Sequence, residues 1–133
     1  MNLVARLGVL AALLAASLAA PPCDRAVPPL VSGYGAPGPY RVVVAGDVYL
    51  PDAPGKRPVV FFAHGFGPGD PSVYDSLLRH LAGRGYAVVY GTYPMLRASH
   101  AQRYDALWNS FSQAASQYAG RLDLTRVAFL GHS

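Results

Sequence analysis

The 133-residue chain has no glutamate, a single lysine, a single tryptophan and a single cysteine, Cys23. One thiol cannot form a disulfide within these residues or supply a paired-cysteine metal site, and it is left for a cysteine elsewhere or stays unpaired. Without glutamate there is no H-E-x-x-H pattern, and the four histidines, His64, His80, His100 and His132, are widely separated, so no metal and no cofactor are expected. A G-x-x-x-x-G-K-[ST] phosphate loop is also missing. The formal charge is +4, but the ten arginines are scattered without a run or stripe, which excludes a nucleic-acid footprint. All seven acidic residues are Asp, and we read this and the scarcity of Lys as a bias of the source organism. Nor is there an apolar run long enough to span a bilayer: the longest, Leu7 to Ala20, falls short of the roughly 20 residues required.

What is present is apolar bulk. Apolar residues make up 52% of the chain and charged ones only 14%, a balance that supplies a packed core and argues against disorder. Residues 1–19 read as a secretory signal peptide. Arg6 precedes the apolar run Leu7 to Ala16, and Ser17-Leu18-Ala19 has the small-x-small form of a cleavage site. The expected location is therefore secreted or periplasmic. Pro21 and Pro22 stand where a lipobox needs small residues, which argues against lipid anchoring at Cys23. Residues 20–39 are rich in Pro and Gly and read as an extended arm.

From residue 40 onward regular periodicities appear. Arg41 to Val44 and Val48 to Leu50 are β-prone pieces joined by Ala45-Gly46-Asp47, which predicts a hairpin. Three unbroken apolar runs follow, Val59 to Ala63, Ala87 to Tyr90 and Val127 to Leu130, and predict strands buried on both faces. Between them lie two helical stripes. The first is Tyr74, Leu77, Leu78, Leu81 and Ala82, with Asp70 or Ser72 as N-cap and Gly83 or Gly85 as stop. The second is Tyr104, Leu107, Trp108, Phe111, Ala115 and Tyr118, closed by Gly120 and read as core, Trp108 and Phe111 included. The predicted class is α/β, a hairpin followed by a βαβαβ parallel sheet with right-handed crossovers.

Chemistry is expected at two strand ends, because open α/β sheets bind ligands outside the carboxyl ends of their strands. The first reads His64-Gly65-Phe66-Gly67-Pro68-Gly69-Asp70, a loop that brings bare backbone N–H groups above the sheet. The second reads Gly131-His132-Ser133, the first half of a G-x-S-x-G nucleophile elbow, where Gly131 supplies one of the small residues that a strained, crowded turn needs. Tyr93 and Met95 follow another strand end and could line an acyl pocket or simply pack in the loop. None of the four histidines reads as a general base.

Together these elements resemble the N-terminal half of an α/β-hydrolase, closest to the dienelactone-hydrolase, cutinase and polyester-hydrolase branch of esterases. The resemblance runs from about Tyr40 to Ser133 and rests on Val59 to Gly67, Leu81 to Val89 and Leu122 to Ser133. It implies Ser133 as nucleophile and the backbone N–H of Phe66 as an oxyanion donor, with His64, Gly65, Gly67, Gly131 and His132 as supporting motif residues. It implies an ester substrate, small or polymeric. It also places the catalytic acid and histidine after Ser133, together with a strand beside the last one, so residues 1–133 alone are expected to be inactive and to aggregate through an apolar edge. Two other readings stand beside it: a non-catalytic binding protein of the same fold, and a dinucleotide-binding domain. The latter is disfavoured because the loop spacing is G-x-G-x-G and the next strand ends in Tyr90-Gly91-Thr92-Tyr93 with no acid for a ribose.

Overall fold

The computed structural model of the chain describes residues 38–67 and 69–133. The expected signal peptide, nearly all of the arm and Cys23 lie outside the described residues. The elements run β1 (Val42–Ala45), β2 (Val48–Pro51), β3 (Arg57–Ala63), a 3-10 turn (Pro71–Tyr74), α1 (Asp75–Gly83), β4 (Ala87–Gly91), α2 (His100–Gln117) and β5 (Leu122–Gly131). They build a five-stranded sheet in the order β1-β2-β4-β3-β5.

The hairpin forms where its turn chemistry predicts. Ala45 pairs with Val48, and Gly46 takes φ +59 at the first central position of a two-residue turn, where a side chain would be strained. β2 lies antiparallel to β4, whereas β3 runs parallel to both β4 and β5. The strand alternation divides the core in two. Val60, Phe62, Val88 and Tyr90 meet Leu78 and Ala82 of α1 on one face, while Val59, Phe61, Ala87 and Val89 meet Phe111 and Ala114 of α2 on the other.

Each helix has a start that its local sequence dictates. Asp70, of the two expected caps, accepts from Ser72 N at 2.8 Å and opens the 3-10 turn that leads into α1. Gly85 takes φ +105 just past the end of α1. At α2, Ser99 and Gln102 form a reciprocal capping box.

Three expectations are corrected here. Leu77 is largely exposed, because α1 rests on a narrower face formed by Leu78 and Ala82, with Tyr74 and Leu81 at its flanks. Trp108 is 64% exposed and Tyr104 69%, so neither is core. The cause lies in β4: a methyl group at Gly91 would come within 2.3 Å of Leu107 and 2.4 Å of Phe111. That notch seats Leu107 and Phe111, and Trp108, about 100° further round the helix, turns outward. Finally, β5 is not buried on both faces; Leu124, Val127, Phe129 and Leu130 are exposed on what is, among the described residues, the sheet edge.

β5 also carries an irregularity that periodicity did not reveal. Pro58 pairs with Asp123 but Val59 pairs with Val127, so residues 124–126 bulge from the ladder. Asp123 holds the bulge, accepting from Thr125 N at 3.1 Å, Thr125 Oγ1 at 2.6 Å and Arg126 Nε at 2.6 Å. Those bonds, those of Thr125 foremost, lower its pKa to about 2.

Candidate active site

The sheet order places the site. From β3 the chain crosses by α1 to β4 on one side, then returns by α2 across to β5 on the other. Two right-handed crossovers in opposite directions put the helices on opposite faces and leave a crevice where the direction reverses, outside the carboxyl ends of β3 and β5. Those are the ends that carry His64-Gly65-Phe66-Gly67 and Gly131-His132-Ser133. Ala63 pairs with Gly131, and His132 N donates to Ala63 O at 3.1 Å, so the two loops leave the sheet side by side.

They touch closely at one position. A methyl group at Gly65 would lie 2.5 Å from His132 Nδ1, so a side chain there would have to push the His132 ring aside. A Cβ at Gly131 would meet nothing within 4 Å among the described residues. Ser133 has φ +61.

His64 is 2% exposed and acts on backbone. Its Nδ1–H donates to Gly65 O at 2.9 Å. Its ring lies flat on Tyr93, with centroids 4.0 Å apart and planes 5° from parallel. The Tyr93 hydroxyl in turn donates to the His64 carbonyl. Burial raises the Tyr93 pKa and keeps that hydroxyl a donor. His64 Nε2 is buried without a partner among the described residues, so the ring is a brace and not an accessible base.

Ser133, His132, Phe66, Tyr93 and Met95 line one cleft of about 600 Å³, with His64 and Gly131 at its floor. The structure thus brings together His64, Phe66, Tyr93, Met95, Gly131, His132 and Ser133, whereas Gly65 and Gly67 do not line this cleft. Phe66 is 80% exposed and, with Tyr93 and Met95, divides this cleft from an adjoining one of about 570 Å³ that reaches Gly67 and Leu96. A roomier hollow of about 730 Å³ lies beside the β1–β2 turn and the Ser110 side of α2; it contains neither Ser133 nor the 64–67 loop.

The second half of the cleft wall was missed. His100, Arg103, Tyr104 and Leu107 face it from α2, and their i, i+3, i+4, i+7 spacing was the available signal. Sequence reading assigned that side of the helix to core. Arg103 fixes the opposite wall, donating through Nε to Pro94 O at 3.2 Å and through Nη2 to Met95 O at 2.9 Å. Tyr74 was also missed as a site residue. Its hydroxyl lies 2.9 Å from Gly65 N and 2.8 Å from His132 Nδ1.

No carboxylate lines the cleft, and the described residues contain no group of three or more His, Cys, Asp or Glu placed to hold a metal. No described helix is long and apolar enough to cross a membrane.

No family model matches the chain, and no curated protein matches it in sequence. Solved structures do. A bacterial heroin esterase superposes with a TM-score of 0.57 at 21% identity, over 95% of this chain and 41% of that one. A C6-C4 SN3 inhibited esterase B from Lactobacillus rhamnosis superposes with a TM-score of 0.57 at 22% identity, over 96% of this chain and 44% of that one. The chain spans less than half the length of either esterase. At this identity the likeness is one of fold, and the described residues form a partial α/β-hydrolase fold.

Proposed function

We propose that this chain is the nucleophile-bearing part of a serine hydrolase that cleaves carboxylic esters through an acyl-enzyme. The observation that carries the reading is the placement of Ser133, just past the end of a parallel strand, beside the 64–67 loop and in the same cleft as Phe66. The esterase character of the structural neighbours supports the same class.

In this mechanism Ser133 Oγ attacks the ester carbonyl carbon and its proton passes to a histidine. The oxyanion of the tetrahedral adduct is held by Phe66 N–H and by the backbone N–H that follows the serine. Collapse of the adduct breaks the C–O bond, and the alcohol leaves with the proton returned by the histidine. Water then attacks the acyl-enzyme by the same route and releases the acid. The histidine and its orienting acid belong, in this reading, to sequence after Ser133. His132 directs Nδ1 to Tyr74 and His64 is buried, so neither is suited to the role. This acyl transfer requires no cofactor. The leader-like residues 1–19 support export of the enzyme.

Labelling of the full-length protein by a fluorophosphonate is the test. Ser133→Ala is expected to abolish labelling and to lower ester hydrolysis by at least about 10⁴-fold. Labelling that persists in the variant would mean that the nucleophile lies elsewhere.

A further inference from the structure

We propose that Tyr74 is a positioning residue that ties the oxyanion loop to the nucleophile elbow and sets the direction of the Phe66 N–H. The proposal rests on the serine-hydrolase reading above.

The bond directions follow from the groups involved. An amide can only donate, so Gly65 N–H gives its proton to the Tyr74 oxygen at 2.9 Å. The phenolic proton is then free to point at His132 Nδ1, 2.8 Å away. The resulting chain, Gly65 N–H to Tyr74 O–H to His132 Nδ1, makes His132 the tautomer with its proton on Nε2. It also joins residues from three elements: the loop after β3, the 3-10 turn and the end of β5.

Tyr74 is itself held in place. Its ring packs against Phe62 with centroids 4.8 Å apart at 60° and against Tyr90 at 6.0 Å. The turn that bears it is capped by Asp70. The hydroxyl is therefore a fixed point that the two loops share.

What the fixed point controls is the backbone around Gly65. The peptide before Gly65 is anchored by Tyr74 through its N–H. The peptide after it is anchored by His64 Nδ1–H on the Gly65 carbonyl at 2.9 Å. That second peptide is trans, so its N–H, which belongs to Phe66, points opposite to the bonded carbonyl. With both peptides held, the Phe66 N–H cannot swing. On the other side, His132 lies against the Gly65 backbone and is the immediate neighbour of Ser133, so the same hydroxyl sets the spacing between oxyanion donor and nucleophile. His132 is exposed, so solvent can compete for this bond, and its worth lies in geometry more than in stability.

Tyr74→Phe in the full-length protein keeps the ring packing and removes only the hydroxyl. The expected result is a fall in kcat of roughly ten- to hundredfold for hydrolysis of p-nitrophenyl butyrate, with KM changed less than about twofold, since a displaced oxyanion donor weakens the transition state and not the ground state. Affinity for a boronic acid that mimics the tetrahedral adduct should drop by a similar factor, and the melting temperature should hardly move. If kcat is unchanged while labelling still depends on Ser133, the Tyr74 proposal falls and the hydrolase reading survives. If labelling ignores Ser133→Ala, the hydrolase reading itself fails. Should Tyr74→Phe not fold, the other end of the chain decides: His132→Asn keeps an acceptor near Nδ1 and should retain most activity, whereas His132→Leu should reproduce the loss. Equal activity in those two variants would overturn the proposal.

Discussion

At the scale of single residues, Tyr90 shows how a well-packed position can carry an electrostatic cost. Its ring is stacked with Phe62 at 5.9 Å and His64 at 5.4 Å, and its hydroxyl is buried with no partner among the described residues. Burial, with smaller contributions from Tyr74 and Tyr93, pushes its pKa up to about 12. A raised folded-state pKa means that the neutral form is favoured in the fold. The associated stability is fully present below the unfolded value near 10 and is lost as pH rises from there through 12, with a slope approaching about 1.4 kcal/mol per pH unit. Urea titrations between pH 8 and pH 12 should show that decline, and Tyr90→Phe should reduce it. At neutral pH the same substitution should cost less than about 1 kcal/mol, because it removes a polar atom that had no bond to lose. A variant as steeply pH-dependent as the parent would show that other groups govern the alkaline limb. Ser133 and the His64-Gly65 pair could be singled out at this scale because each stands in a glycine-containing motif at the end of an apolar run. Tyr74 could not, since a tyrosine in a helical stripe looks like any other apolar position.

Among the elements, α2 decides what lines the cleft. Its approximate extent could be read from the apolar stripe and Gly120, but its capping box and its rotation could not. A stripe of six apolar residues is wider than the face a sheet can cover, and which part docks depends on the partner surface. Gly91 settles the matter by opening a notch for Leu107 and Phe111. Tyr118, whose hydroxyl donates to Ala45 O at 3.3 Å, and Ser110, which accepts from Thr92 N at 3.1 Å, keep the same orientation. Phe111 is 6% exposed and packs on Phe61 at 4.8 Å. Phe111→Ala should therefore destabilise the fold by about 3 to 5 kcal/mol. Trp108→Ala should change stability by less than about 1 kcal/mol. Chemical denaturation of the two variants checks the assignment, and a reversed order would mean that α2 sits about a quarter turn from the position described.

The molecule as a whole is governed by the edge at β5. The strand's core-like sequence predicts burial, yet Phe129 is 67% exposed and Leu124, Val127 and Leu130 between 39% and 50%. Phe129 does stack on Phe61 at 5.5 Å, so its inner side is packed while its outer side and the strand's hydrogen-bonding edge meet no neighbour among the described residues. A long apolar edge with unpaired backbone groups is a template for further pairing. A polypeptide limited to these 133 residues is therefore expected to self-associate as its concentration rises. Sedimentation velocity at several concentrations measures this, and a monodisperse monomer with a cooperative melt would contradict it.

Local order was written in the sequence because it depends on short-range rules. Alternation and apolar runs marked the strands, 3.6-residue spacing marked the helices, and Gly46 and Asp70 marked a turn and a cap through demands that each residue meets on its own. The two glycine-containing segments at the ends of β3 and β5 were identifiable for the same reason. Only the tertiary structure decided which surfaces meet: that His132 lies on Gly65, that Tyr74 reaches it across 58 positions of chain, and that one side of α2 faces the cleft through His100, Arg103 and Tyr104. Periodicity reports which residues share a face, but the neighbour of that face is fixed by sheet order and crossover direction. The bond that sets the geometry around Ser133 belongs to that second kind of information.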